Sequence, residues 1–145
     1  MEKILLTFVF CLAAFFSSCE SPPGLAENVS VEAGQGEQKF RVETFVSGLE
    51  VPWGFAWLPS GDLLVTERPG RVRLVEKGVL GAEPVYVVPD VEPSSESGLM
   101  DISAHPNFAS NNFIYLAYAY NKNGKRDRVV RYKYVGGKLT EPKTI

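Results

Sequence analysis

The feature of this sequence that most restricts its fold is a pattern of short apolar runs that occurs twice. WLPSGDLLVTE (residues 57–67) and AHPNFASNNFIYLAY (residues 104–118) share one plan: an inner strand, a proline, a polar turn and an apolar strand. Pro59 and Pro106 stand about 47 residues apart, close to the repeat length of β-propeller blades. One blade leaves both faces of its sheet apolar, so it requires neighbours and finally a closed ring. The sequence therefore predicts an all-β fold, the first two blades of a β-propeller that is incomplete in this chain.

Turn residues divide both units into strands. The expected strands of the first unit are residues 54–58, 63–67, 71–76 and 84–88, and those of the second are 99–104, 113–120 and 128–135, followed by an outermost strand within 138–145. Pro69 and Gly70 suit the central positions of a type II turn, because glycine supplies the positive φ. FIYLAYAY, residues 113–120, is apolar on both faces, which is typical of a sheet packed between two others.

The N-terminus predicts export. An apolar run, residues 4–16, follows Lys3 and is shorter than the roughly 20 residues that a membrane-spanning helix needs. Ser17 and Ser18 before Cys19 resemble the lipobox of bacterial lipoproteins, so residues 1–19 are interpreted as a signal peptide ending at a lipidated Cys19. The alternative is a conventional signal cleaved nearby, which would leave Cys19 as a free thiol. We expect a periplasmic or outer-membrane lipoprotein, attached to the membrane through this anchor.

The composition of the rest is that of one globular domain. Residues 20–38 are rich in Glu, Ser, Pro and Gly and lack aromatic side chains, which indicates a flexible tether before a folded part at 39–145. The net charge is −2, and the densest cationic run, residues 122–128, is interrupted by Asn, Gly and Asp. This run fits a solvated hairpin tip, and no nucleic-acid partner is expected. Glycine-rich phosphate loops are absent from the sequence, which argues against a nucleotide cofactor.

His105 is the only histidine of the chain. Pro106 follows it and favours an extended backbone at His105, and no second titratable group lies at a useful spacing. One histidine and scattered carboxylates do not form a metal cluster. We therefore interpret His105 as a structural residue and assign neither a catalytic residue nor a metal ligand to this chain.

Two long motifs resemble a known family. GLEVPWGFAWLPSGDLLVTERPGRVRLV (residues 48–75) and ESGLMDISAHPNFASNNFIYLAYAY (residues 96–120) are similar to the glucose/sorbosone dehydrogenases, which are quinoprotein aldose sugar dehydrogenases built as six-bladed β-propellers. The likeness runs from about residue 40 to the end of the chain. It implies pyrroloquinoline quinone (PQQ) and calcium as cofactors, a sugar substrate whose anomeric hydroxyl is oxidised to a lactone, and an electron acceptor.

The resemblance also implies where the chemistry lies. In such an enzyme the quinone carries the redox chemistry and the protein supplies one general base, a histidine in this family. That histidine belongs to the start of the third blade and has no counterpart in this sequence. The resemblance therefore implies that the catalytic base lies beyond Ile145 and that this chain is inactive alone.

Glu96 is the candidate cofactor-binding residue of this chain. The resemblance puts it at the top of an inner strand beside the quinone, where it could contact the cofactor or position the sugar; the alternative is an exposed loop carboxylate. Ser97 departs from the glycine or asparagine that is commoner there. Glu67 and Arg68 are expected to form a structural pair. We expect Trp53 and Trp57 to fill the space between blades. Asp101 is expected to be paired, with Arg73 or Arg131 as its partner.

Two other functions stay open. A lipid-anchored propeller that binds carbohydrate or protein without catalysis would share this fold, because fold alone does not determine function. A histidine at the start of the third blade would favour the enzyme over this alternative. A hydrolase or lactonase propeller would need carboxylates and asparagines around a central calcium, and no such cluster is visible in the sequence.

Overall fold

The computed structural model describes residues 42–145. The predicted signal peptide, Cys19, the tether at 20–38 and the expected start of the fold at residue 39 lie outside the described residues. The described elements are β1 (Pro52–Trp57), β2 (Leu63–Glu67), β3 (Arg71–Glu76), β4 (Val79–Leu80), β5 (Tyr86–Val87), β6 (Leu99–Ala104), α1 (Phe108–Asn111), β7 (Phe113–Asn121), β8 (Lys125–Val135) and β9 (Lys138–Thr144). None of the helical structure within residues 42–145 has the length and hydropathy needed to span a membrane. The prediction of an all-β fold is confirmed.

The first sheet is an antiparallel meander with an irregular outer edge. β1, β2 and β3 pair in sequence order, and both two-residue strands, β4 and β5, pair with β3. The expected fourth strand at 84–88 is therefore wrong in its bounds, because the observed strand there, β5, covers only Tyr86–Val87. The chain turns away after β4, where the Gly81 N–H bonds to the Leu74 carbonyl, and returns at Val85, whose N–H bonds to the Val72 carbonyl. Pro84 lies between them and has no N–H to give to a ladder.

The second sheet is a regular meander in the order β6-β7-β8-β9. Between β6 and β7 the chain forms the single helical turn α1, which the sequence pattern did not reveal. The hairpin of β7 and β8 turns at Asn123 (φ 57°) and Gly124 (φ 111°). Asn and Gly tolerate a positive φ better than other residues, and residues 121–127 around this three-residue turn are exposed, so the expected solvated hairpin tip is confirmed.

The two sheets pack face to face around one core. Val88, which follows β5, is buried there with side chains of both sheets, among them Leu64, Val72, Leu99, Ile114, Leu116, Val130 and Tyr132. The inner strands β1 and β6 meet at Gly54, where an added Cβ would lie 3.1 Å from both the Asp101 Cα and the Met100 carbonyl oxygen. The buried Thr66 hydroxyl joins the strands, since it accepts from the Gly54 N–H at 2.9 Å and donates to the Met100 carbonyl at 2.8 Å.

The opposite face of the first sheet is only partly covered. Leu63, Val65 and Val75 are buried there beneath the segment that precedes β1. Phe55 and Trp57 are cross-strand partners of Val65 and Leu63, so they lie on the same face, 64% and 53% exposed. Trp53 is 44% exposed, so neither tryptophan is buried between these two sheets, and their expected packing between blades stays a prediction. An apolar groove of about 420 Å³ runs along this face beside Phe45, Phe55 and Trp57.

Candidate functional site

The antiparallel topology collects the connecting segments at two ends of the sheets. The turn between β2 and β3 (68–70), the segment between β5 and β6 (88–98) and the turn between β7 and β8 (122–124) lie at one end, which we call the Glu96 end. The turns at 58–62, 105–112 and 136–137 lie at the other end. The segment before β1 reaches the Glu96 end as well, where the Arg68 N–H bonds to the Val51 carbonyl. A site that combines residues of both sheets at Glu96 can therefore draw on these four segments.

Glu96 lies at the tip of a tight turn directly before the inner strand β6. The Ser94 N–H bonds to the Ser97 carbonyl and the Ser97 N–H bonds to the Ser94 carbonyl, both at 3.0 Å, and the Ser97 hydroxyl adds a bond of 2.7 Å to the Ser94 carbonyl. Ser95 has a φ of 55°. The Glu96 side chain is exposed and makes no hydrogen bond or ion pair with any residue of 42–145. The turn thus presents a carboxylate whose acceptor oxygens are free within the described part of the chain.

Arg68, from the turn after β2, contacts this loop. Its Nη1 donates to the Ser95 carbonyl at 2.6 Å, and its own carbonyl accepts from the Leu99 N–H at 3.0 Å. Between these two bonds Gly98 approaches so closely that an added Cβ would lie 2.5 Å from the Arg68 carbonyl oxygen. The loop that carries Glu96 is therefore held from the first sheet as well as from its own strand.

A second arginine anchors the same segment to the second sheet. Arg128 of β8 forms an ion pair with Asp90, and its guanidinium carbon lies 4.1 Å from the Tyr120 ring centroid and 4.7 Å from that of Tyr118. Burial acts to lower the pKa of Arg128, but the hydrogen bond and charge of Asp90 outweigh it and raise this pKa. Sequence reasoning missed this contact, because Asp90 and Arg128 are far apart in the chain and neither stands in a distinctive motif.

Glu67 does not pair with Arg68, contrary to expectation. Its buried carboxylate accepts from Arg71 Nε at 2.6 Å and from the Glu50 N–H at 2.6 Å, with Arg73 Nη1 at 3.5 Å. Burial acts to raise the pKa of Glu67, but the Glu50 N–H and the two arginines outweigh it, so the pKa lies below its ordinary value. The bonds from Arg71 and the Glu50 N–H stabilise the base of the turn that carries Arg68.

His105 lies at the far end of β6 from Glu96, about 20 Å away along six residues of strand. Its Nδ1 accepts from the Asn107 N–H at 2.9 Å and lies 2.9 Å from Asn111 Nδ2, and its ring stacks on Tyr115. This environment fits the structural role expected of His105. The carboxylate of Asp101 is exposed and accepts from the Ile102 N–H at 2.8 Å.

The partners expected for Asp101 are used elsewhere. Arg73 contacts Glu67, and the guanidinium of Arg131 lies over the ring of Phe113 at 4.1 Å. Within residues 42–145, no three His, Cys, Asp or Glu side chains come together as a metal site. The described residues therefore offer a site for hydrogen bonding at the Glu96 end and no set of metal ligands.

Comparison with known proteins identifies the family to which this two-sheet architecture belongs. Residues 49–145 match the family model described as Glucose / Sorbosone dehydrogenase. The PQQ-bound form of an aldose sugar dehydrogenase from Streptomyces coelicolor is 34% identical with a TM-score of 0.63, and the match covers 70% of this chain and 31% of that one. The two sheets are thus two blades of a β-propeller, as predicted. The chain belongs to the glucose/sorbosone dehydrogenase family.

Relatives in sequence agree with this assignment. A protein of Synechocystis sp. is 43% identical over 126 residues, which cover 80% of this chain and 31% of that protein. Aldose sugar dehydrogenase YliI of Escherichia coli is 32% identical over 109 residues, which cover 72% of this chain and 29% of YliI. The matched part therefore spans less than a third of each of these relatives.

Proposed function

We propose that this chain is the N-terminal part of a PQQ-dependent dehydrogenase that oxidises the anomeric hydroxyl of an aldose to a lactone. The family supports an oxidoreductase that acts on sugars. One observation supports this proposal at the level of a residue. A tight turn presents Glu96 at the end of an inner strand, and the Glu96 side chain has no hydrogen-bond partner among residues 42–145. A free carboxylate on a fixed loop is a preorganised acceptor.

The chemistry of Glu96 fits a contact to the cofactor or to the sugar. PQQ, when bound, supplies the group that is reduced as the sugar is oxidised. An ionised carboxylate only accepts hydrogen bonds, so Glu96 would bind a donor, such as a sugar hydroxyl or an N–H of the cofactor. Glu96 is one point of contact, and we propose that the further cofactor residues, the calcium ligands and the general base belong to parts of the protein beyond the described residues.

We also propose that the 145-residue chain is inactive by itself. A general base must reach the proton that it abstracts. His105 is unsuitable, because it lies at the far end of β6 from Glu96. Export and a lipid anchor at Cys19 remain part of the proposal, supported by the apolar run and the small residues before the cysteine.

The test is to titrate PQQ into the full-length protein in the presence of calcium and to follow binding by the change in protein fluorescence. Dye-coupled oxidation of aldoses would be measured in parallel. We expect PQQ binding, and Glu96→Ala should weaken it about tenfold, the loss expected for one hydrogen bond to a charged group. Glu96→Gln keeps an acceptor oxygen and should retain most of the affinity.

Glu76→Ala is the matched control, because Glu76 is exposed at the end of β3 away from the Glu96 end. It should bind PQQ as the unaltered protein does. If the full-length protein binds no PQQ but binds sugars, the alternative of a non-enzymatic, carbohydrate-binding propeller is favoured. Equal affinities for the Glu96→Ala and unaltered proteins would remove Glu96 from the site while leaving the activity in place.

A further inference from the structure

We infer that Arg68 is a positioning residue, which fixes the loop of Glu96 across the boundary between the two sheets. The inference rests on the proposed function, because it assigns Arg68 a task at the site where Glu96 would act. Arg68 itself need not touch the cofactor or the sugar. It acts through the backbone of residues 94–98.

The first observation is the side-chain bond. Arg68 Nη1 donates at 2.6 Å to the carbonyl of Ser95, the residue immediately before Glu96. Ser95 has a φ of 55°, in the left-handed region that residues other than glycine seldom adopt. A charged donor on its carbonyl stabilises this conformation, because a hydrogen bond to a charged group is stronger than one between neutral groups. Loss of the guanidinium would release the turn at the residue that sets the direction of Glu96.

The second observation is the close approach of the two backbones. The Leu99 N–H donates to the Arg68 carbonyl at 3.0 Å, and Gly98 (φ 148°) leaves no room for a Cβ, which would meet the Arg68 carbonyl oxygen at 2.5 Å and Cγ at 2.8 Å. The loop is thus bound to Arg68 on both sides of Glu96, at Ser95 and at Leu99. Since Arg68 belongs to the first sheet and Leu99 begins the second, the position of Glu96 depends on the packing between the sheets.

Arg73 provides a matched control. It is also an arginine of the first sheet with a main-chain contact, from Nη2 to the Gly81 carbonyl at 2.7 Å, and it also lies near the buried Glu67. Its contacts are away from residues 94–98. Arg73→Ala should therefore lower stability without altering the loop, whereas Arg68→Ala should alter both.

The experiment combines hydrogen exchange with PQQ titration in the full-length protein. In Arg68→Ala, the amides of Ser97 and Leu99 should exchange at least tenfold faster than in Arg73→Ala, since both belong to the loop that Arg68 holds. PQQ affinity should fall about tenfold in Arg68→Ala and stay unchanged in Arg73→Ala. Arg68→Lys, which keeps a charged donor, should restore part of the affinity.

A double variant makes the test specific. If Arg68 acts through Glu96, the combination of Arg68→Ala with Glu96→Ala should weaken PQQ binding little more than Glu96→Ala alone, because coupled residues are not additive. Additive losses, equal losses in the two arginine variants, or unchanged exchange at residues 94–98 would each overturn the inference. Absence of PQQ binding by the unaltered protein would overturn the proposed function instead, and the exchange measurement would still decide whether Arg68 holds the loop.

Discussion

Replacement of Glu67 by glutamine should lower the free energy of unfolding by about 3 kcal/mol at pH 7. The change removes a charge-assisted bond of 2.6 Å to Arg71 Nε and the attraction of Arg73 at 3.5 Å, and it leaves the acceptor for the Glu50 N–H in place. A hydrogen bond to a charged group is worth about 1.5–3 kcal/mol, and breaking a buried ion pair costs about 3–5 kcal/mol. The retained acceptor places the expected loss at the lower end of the second range.

The pH dependence distinguishes charge from packing. The pKa of Glu67 in the folded protein lies below its ordinary value of 4.5, so the unfolded state takes up the proton first as the pH falls. The stabilisation by the carboxylate is therefore complete above about pH 4.5 and is lost as the pH falls through the lower pKa of the folded state. Because glutamine does not titrate in this range, the difference between the two proteins should shrink below pH 4.5.

Urea denaturation of the two full-length proteins at pH 7, 5, 4 and 3.5, followed by tryptophan fluorescence, measures this difference. Glu76→Gln serves as the control, since Glu76 is exposed, and it should change stability by less than about 0.5 kcal/mol. If Glu67→Gln lowers the free energy of unfolding equally at pH 7 and at pH 3.5, the negative charge of Glu67 does not contribute to stability.

Three further predictions concern the contact between the sheets. Gly54→Ala should lower stability by about 1–3 kcal/mol, since its Cβ would lie 3.1 Å from the Asp101 Cα and the Met100 carbonyl oxygen, which are backbone atoms of β6. An unchanged melting temperature in calorimetry would contradict the close approach of β1 and β6. Thr66→Val should lower the free energy of unfolding by about 1–3 kcal/mol, because it leaves the Gly54 N–H and the Met100 carbonyl without the buried hydroxyl. Thr66→Ser keeps a hydroxyl and should restore most of this stability. Equal urea midpoints for the valine and serine variants would disprove the bridge. Burial raises the pKa of Tyr132 above its ordinary value of 10.0, so its neutral form stabilises the fold below pH 10 and stability should fall as the pH rises further. Tyr132→Phe should show a weaker decline between pH 9 and 11.5, and an identical decline in both proteins would assign alkaline unfolding to other groups.

The sequence predicts the central strands well, because their signals are local. Observed β2, β3 and β6 have the expected bounds of 63–67, 71–76 and 99–104. Turn residues such as Pro69 and Gly70 act within a few positions of the strands that they separate. The outer edge of the first sheet was predicted less accurately, since Pro84 and the pairing of two short strands with β3 break the pattern there.

The partner of Glu67 shows an error that sequence reasoning could avoid. Neighbouring residues of a strand point to opposite faces, so adjacency in the TER motif is poor evidence that Glu67 and Arg68 pair. Glu67 and Arg71 are direct cross-strand partners, and Arg73 lies two residues further along the same strand. The predicted two-residue turn at 69–70 would place Glu67 opposite Val72. The observed loop covers residues 68–70, with the Gly70 N–H bonded to the Glu67 carbonyl, and this shift of one residue brings Arg71 opposite Glu67. The contact between Arg68 and Ser95 could not be found in that way, because it depends on how the two sheets pack.

The two ends of β6 differ in a way that bears on function. At the His105 end, α1 and the bonds to His105 Nδ1 occupy the polar groups of the turn with partners from the turn itself. At the Glu96 end, the loop is held by Arg68 from the turn after β2 and by Arg128 of β8, and the Glu96 carboxylate has no partner among the described residues. The positive φ of Ser95 has a backbone cost, since Ser95 is not a glycine, and the bond from Arg68 to its carbonyl offsets part of that cost. The arrangement uses both sheets to fix one exposed carboxylate, and for this reason we propose the Glu96 end as the part of this chain that contacts the cofactor or the sugar.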